Sequence, residues 1–174
     1  MLSRTVQVLG VVFGITLTAA PLSPAGATNI NTSAVACQQA VFQAVPSDKQ
    51  NRVGIIDSGV VNMTNVPTIV ICPVPRSPLA AGATSGGFWL DGDNLLNSLV
   101  TVQTTCNVAS YTYQGVLHGW SGFTATEATY DRFVSLPASM LGFYDYVSVN
   151  CLLPPYHDAL RTYLGVFRGV TASQ

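Results

Sequence analysis

Ile55-Ile56-Asp57-Ser58-Gly59 sets a carboxylate beside a hydroxyl in a short, turn-forming stretch. Two such aspartates brought together share one proton, because like charges that close resist ionising together, and the pair can activate water. This reading needs the second aspartate from another copy of the chain. The structural alternative is a turn in which Asp57 caps its own backbone. Asp91-Gly92-Asp93-Asn94 offers three oxygen side chains. Calcium takes six to eight oxygens, and the spacing ending in a glutamate is absent, so a hairpin or loop tip is expected. His118 and His157 are the only histidines, 39 positions apart, and are expected in polar loops. Gly119-Trp120-Ser121-Gly122 has its second glycine one place too early for a nucleophile elbow. A Ser121 dyad with His118 or His157 would have to draw on Asp145 or Asp158. No catalytic residue, cofactor or metal ligand is assigned on these grounds.

The aromatics form a different kind of candidate. Trp89, Trp120, Tyr111, Tyr113, Tyr144, Tyr146 and Tyr156 could build a platform that stacks on sugar rings or anchors a protein contact. Tyr144 and Tyr146 fall on the polar face of their expected strand and are read as the binding face. The competing use of aromatics in a small β-protein is to fill the core or cover a sheet by cross-strand pairing.

Cys37, Cys72, Cys106 and Cys151 each sit in a strand-like run. The closest spacing, Cys72 to Cys106, is 34 positions, which excludes the paired ligands of a structural zinc site and a redox C-x-x-C. An even count in a secreted chain implies disulfides. Four cysteines allow three connectivities. Pairing neighbours along the chain, Cys37–Cys72 and Cys106–Cys151, is the expectation, each worth about 3–4 kcal/mol in the chain-entropy model. Ala34-Val35-Ala36-Cys37 lacks the large apolar residue of a lipoprotein processing site.

Arg4, an apolar run from Val6 to about Ala20, then Pro21, Pro24 and Ala25-Gly26-Ala27, form the pattern of a secretory signal. The run is shorter than the roughly 18–20 residues of a bilayer-spanning helix. Cleavage after Ala27 takes 27 of the 174 residues and leaves 147, enough for one domain over 28–174. The protein is expected to be secreted, either extracellular or periplasmic. Six basic residues then face eight acidic ones. The absence of a basic patch argues against nucleic acid and anionic membranes. Charged residues make up only 9% of the chain, so Ser, Thr, Asn, Gln and Gly must cover the surface.

Short alternating runs must position these residues. Val66 to Val74 is apolar on both faces, as in a strand buried on two sides. Leu99 to Val108, Phe143 to Leu153 and Leu160 to Phe167 alternate, the last with Val166 on the face of Leu164 and Phe167 on the other. Residues 53–61, 86–91, 114–124 and 128–136 are weaker strand candidates. Residues 34–44 are the best helix candidate. Gly86-Gly87, Asp91 to Asn94, Gly115, Gly119 and Pro154-Pro155 read as breaks. With no internal repeat or linker, the pattern predicts one all-β sandwich of about seven or eight antiparallel strands in two sheets. Asn31-Thr32-Ser33 and Asn62-Met63-Thr64 fit the N-glycosylation rule.

Two stretches carry a resemblance. Gly59-Val60-Val61-Asn62 precedes Val70-Ile71-Cys72-Pro73-Val74-Pro75-Arg76, and Cys151-Leu152-Leu153-Pro154-Pro155 precedes the last strand. This resembles a set of uncharacterised secreted bacterial proteins with G-x-x-N, V-x-C-P-[VL]-x-R and C-x-L-P-P segments. The resemblance implies a disulfide-linked β-sandwich and no particular activity. Separately, the stretch at Asp57 resembles the active-site loop of aspartic proteases. The leading expectation is a non-catalytic secreted or surface-associated protein binding a glycan or an extracellular protein. The alternative is a hydrolase, in its most concrete form a homodimeric aspartic protease using Asp57.

Overall fold

In the computed structural model, residues 29–40, 52–56, 59–75, 79, 82–94, 103–157, 162–163 and 165–173 are described. The signal segment, Asp57, Asp158 and the start of the Leu99–Val108 run lie outside them.

Two antiparallel sheets stack face to face. The six-stranded sheet runs β3 (Val53–Ile56), β4 (Gly59–Asn62), β13 (Gly165–Ser173), β6 (Ser85–Asn94), β9 (Thr129–Pro137). β1 (Asn29–Ser33) also pairs with β13, along the part of its edge that β4 leaves open. The five-stranded sheet runs β2 (Gln38–Gln39), β5 (Thr68–Val74), β10 (Tyr146–Leu153), β7 (Thr105–Tyr111), β8 (Leu117–Thr124). A separate two-stranded ladder joins β11 (Tyr156–His157) to β12 (Thr162–Tyr163). The sandwich is the expected one. Its strands outnumber the expected seven or eight because β1, β2 and β3 add short edge pieces.

Alternation builds the core. Val147, Val149, Cys151 and Leu153 of β10 point inward, as do Cys106 and Val108 of β7 and Val70, Cys72 and Val74 of β5. They meet Phe88, Leu90, Val134, Leu136, Phe167, Val170 and Ala172 of the six-stranded sheet. Phe88 and Phe167 are fully buried, and burying such a side chain contributes roughly 1.5–3 kcal/mol.

Both expected disulfides form, Cys37–Cys72 and Cys106–Cys151. Cys106 and Cys151 are directly opposed on β7 and β10, while Cys37, the residue just before β2, reaches Cys72 of β5; in both the Cα atoms are 4.1 Å apart. Neither crosses between sheets.

Several boundaries differ from the sequence reading. Residues 34–36 form one 3₁₀ turn, and the chain then enters β2 as a strand. Gly86-Gly87, Asp91 to Asn94 and Gly119 lie inside strands, not in turns. The reason is side-chain packing: a Cβ at Gly87 would meet the Phe133 ring, at Gly92 the Tyr130 phenol, and at Gly119 Met140. Gly115 is a true turn residue, with φ +79° and its N–H bonded to the Thr112 carbonyl at 2.8 Å. β10 begins at Tyr146, so Phe143 and Tyr144 precede the strand. β13 faces the other way from the expected alternation. Phe167 points into the core, and a bulge between Phe167 and Gly169 then turns Val170 and Ala172 inward.

The G-x-x-N segment has a clear structural use. Asn62 is buried and donates to the carbonyls of Val66 (2.6 Å) and, across to the other sheet, Leu153 (3.4 Å). Its own carbonyl accepts from Thr64 N and Oγ1, both at 2.9 Å. This side chain ties the sheets together and has no exposed amide for a glycan. The sequon at Asn31 sits on the exposed side of β1.

Candidate binding groove

The outward residues of the five-stranded sheet assemble a groove of about 380 Å³. Ala109 of β7 forms its floor. Ile69 and Ile71 of β5 stand on one side, and Trp120 and Leu117 of β8 on the other, with Tyr111 at one end. Trp120 is 62% exposed and Leu117 51%. Asn107 and Asn150 oppose each other in register, and the Asn150 amide donates to the Asn107 carbonyl at 3.0 Å. That bond leaves an NH₂ group on Asn107 and a carbonyl on Asn150 for a ligand. The Val66–Val74 run is apolar on both faces for this reason: Val70 and Cys72 enter the core while Ile69 and Ile71 line the groove.

No strand of this sheet contains Asp, Glu, Lys or Arg. A neutral ligand therefore meets aromatic, aliphatic and amide groups, with no charge to satisfy or repel.

The residues read from sequence as the binding face are both exposed. Tyr146 projects from β10 directly opposite Tyr111 and borders a neighbouring cleft with Pro73 and Pro75. Tyr144 lies in the turn before β10, edge-on to Phe143 at 4.9 Å. Of the other aromatics, Tyr111 and Trp120 line the groove, Tyr113 is in the β7–β8 turn and Trp89 is on the opposite sheet. Ile69, Ile71, Asn107 and Asn150 were missed, because they converge only through pairing of β5, β10 and β7.

A polar clasp closes the end of this sheet where Tyr111 and Tyr146 stand. One carboxylate oxygen of Asp145 accepts from Ser110 Oγ (3.0 Å) and Gly142 N (2.7 Å), and lies 2.5 Å from His118 Nδ1. The Asp145 side chain is only 7% exposed. Burial alone would raise its pKa. The hydrogen bonds from His118, Gly142 and Ser110, with the His118 charge, outweigh burial and hold the carboxyl below its ordinary value. His118 and Asp145 were considered as partners of Ser121, yet the serine in the cluster is Ser110. It bonds the aspartate and not the imidazole, so the arrangement orients His118 without making a nucleophile.

The remaining sequence candidates separate. Asp93 pairs with Arg168 and accepts from Thr129. Asn94 turns inward to the Ala125 carbonyl and Thr104. Asp91 faces Asp131. The three oxygens thus go to different partners, and no group of three His, Cys, Asp or Glu side chains gathers as a metal site among the described residues. Asp57 lies outside the described residues, between the paired strands β3 and β4.

The two disulfides fit an oxidising compartment. No helix among the described residues is long and apolar enough to cross a membrane. In comparison with known proteins, no family model matches the chain and no curated protein matches it significantly.

Proposed function

We propose that the protein is secreted, matures by cleavage after Ala27, and binds a neutral glycan in the groove of its five-stranded sheet. The carrying observation is the pairing of Trp120 and Tyr111 with the Asn107–Asn150 amides in a sheet whose strands hold no charged residue. Sugar rings present apolar C–H faces that stack on aromatic rings. Their hydroxyls need both donors and acceptors, which side-chain amides supply. The volume is of the order of small-ligand pockets. An anionic polymer would find no lysine or arginine in these strands.

Titration of the disulfide-intact protein with neutral oligosaccharides, followed by calorimetry, tests this reading. Saturable binding that falls at least about tenfold in Trp120→Ala is expected. Absence of saturation across neutral glucan, mannan and chitin oligomers would overturn it. Intact mass measures the maturation step, with a chain starting at Thr28 as the expected product.

A further inference from the structure

We infer that the groove is one part of a longer path, and that the site takes the interior of a linear neutral polysaccharide, not a lone sugar or a chain terminus. This rests on the glycan reading and extends it. Outward residues of four strands stand in one register row. Trp120 of β8 lies opposite Ala109 of β7, Ala109 opposite Ser148 of β10, and Ser148 opposite Pro73 of β5. Ala109 is the floor of the groove. Pro73 belongs to the neighbouring cleft, of about 340 Å³, which Pro75 and Tyr146 also line. Ser148 joins the two with a short side chain. The row crosses three inter-strand spacings, about 14 Å, which is room for about three pyranose rings in line.

The two flanks of this row differ in chemistry. Two residues to one side, Asn150 and Asn107 are opposed and offer their amides. Two residues to the other side, Tyr146 and Tyr111 are opposed. A chain of pyranose rings carries hydroxyls on its edges and C–H groups on its faces. Laid along the row, it meets donors and acceptors on one flank and aromatic surface on the other. The cleft also keeps the neutrality of the groove. Asp145 is the acidic residue of its lining, and that side chain is almost wholly buried and engaged by Ser110, Gly142 and His118.

Both ends of the row are open. Trp120 is exposed and sits on β8, an edge strand of the sheet. At the far end, β2 covers β5 only at Val70 and Ile71, so among the described residues no strand stands beyond Pro73. A chain can enter over one edge and leave over the other. A site for a terminal sugar would instead be closed at one end. Tyr146, outside the groove, then supports the second half of the path beside Pro73 and Pro75.

The test is calorimetry of the disulfide-intact protein with linear glucan, mannan and chitin oligomers of one to six sugars. In the series that binds, affinity should rise at least about tenfold from monomer to tetramer, as a second aromatic contact is added. It should then level off, once the path of about 14 Å is filled. Two variants on the exposed face separate the path from the groove. Tyr146→Ala should weaken the hexamer about fivefold and leave the monomer unchanged. Ser148→Phe places a ring in the path and should reduce the hexamer to the affinity of the short sugars, which still enter the groove. Opening the terminal ring of the hexamer with borohydride should leave its affinity unchanged. Saturable binding that does not strengthen with length overturns this inference alone. So does a length dependence that survives both variants, or a loss of affinity on reduction, which would mark recognition of a chain end. Absence of binding by every oligomer overturns the glycan reading and this inference with it.

Discussion

The five-stranded sheet has no Asp, Glu, Lys or Arg in its strands and carries both disulfides. The six-stranded sheet carries Asp91, Asp93, Asp131, Arg132 and Arg168 and no cysteine. The difference bears on how each sheet holds its register. Register is weakly specified where both faces of a strand are apolar, because a one-residue slip costs little. β5 is such a strand, with Ile69 and Ile71 outside and Val70 and Cys72 inside. The disulfide from Cys72 to Cys37, just before β2, removes that freedom from β5 covalently, and the opposed pair Cys106–Cys151 does the same between β7 and β10. In the six-stranded sheet, side chains do the same work: Tyr130 sits over Gly92 and donates to the Val166 carbonyl at 3.2 Å, and Asp93 grips Arg168. A sheet locked by disulfides can keep an uncharged outer face, and that face is the groove.

The largest expected effect breaks the comparison at its root. Replacing Cys106 and Cys151 by Ala should cost about 2–5 kcal/mol in a denaturant melt. Hydrogen exchange should show β7 and β10 losing protection before β6 and β13 do. Equal loss in both sheets would mean that the disulfide does not act through the five-stranded register.

Asp145→Ala comes next. It removes the acceptor of three hydrogen bonds and leaves buried Ser110 without its partner, at an expected cost of about 1–3 kcal/mol. The Asp145 carboxyl titrates below its ordinary value of 3.8 in the folded protein. Its stabilisation is therefore complete above that value and lost as pH falls through the lower folded one. The variant should lose this acid sensitivity, which stability measured across the acid range would show.

Asp91→Asn should have the smallest effect and the opposite sign. The folded carboxyl titrates above 3.8, so the folded state binds the extra proton. Its penalty is absent below 3.8 and develops in full above the raised value. The variant should gain up to about 1 kcal/mol at neutral pH, after allowance for solvent screening, and nothing at low pH. A loss of stability at neutral pH would show that the carboxylate pair is not a strained contact.

Much of this contrast was legible in the sequence. Low charge, four strand-borne cysteines and the alternation of Val147, Val149, Cys151 and Leu153 lead to the sandwich and to the disulfide pairing. The strand candidate at residues 86–91 is part of β6, but Gly86-Gly87 and Asp91 to Asn94 misled as breaks, since glycine and aspartate favour turns when read locally. Here the glycines are spaces filled by Phe133 and Tyr130, which are more than thirty residues away in sequence. The inward face of Phe167 was misjudged because Leu164 and Val166 marked the other face as the apolar one, and the bulge that follows shifts the alternation to Val170 and Ala172 without a local signal. The groove was half legible. Trp120 and Tyr111 were among the aromatics of a candidate platform, whereas Tyr144 and Tyr146, read as the binding face, are exposed outside the groove, and the amide pair exists only because β10 and β7 align Asn150 with Asn107. The two-sided apolarity of β5 was the available sign that something covers its outer face.

The glycan reading is tested most directly by following the two indole N–H signals while a neutral oligosaccharide is added. The account predicts saturable movement of Trp120 in the groove, with Trp89 on the charged sheet unmoved. Movement of Trp89 alone, or of neither signal at saturating sugar, would contradict it.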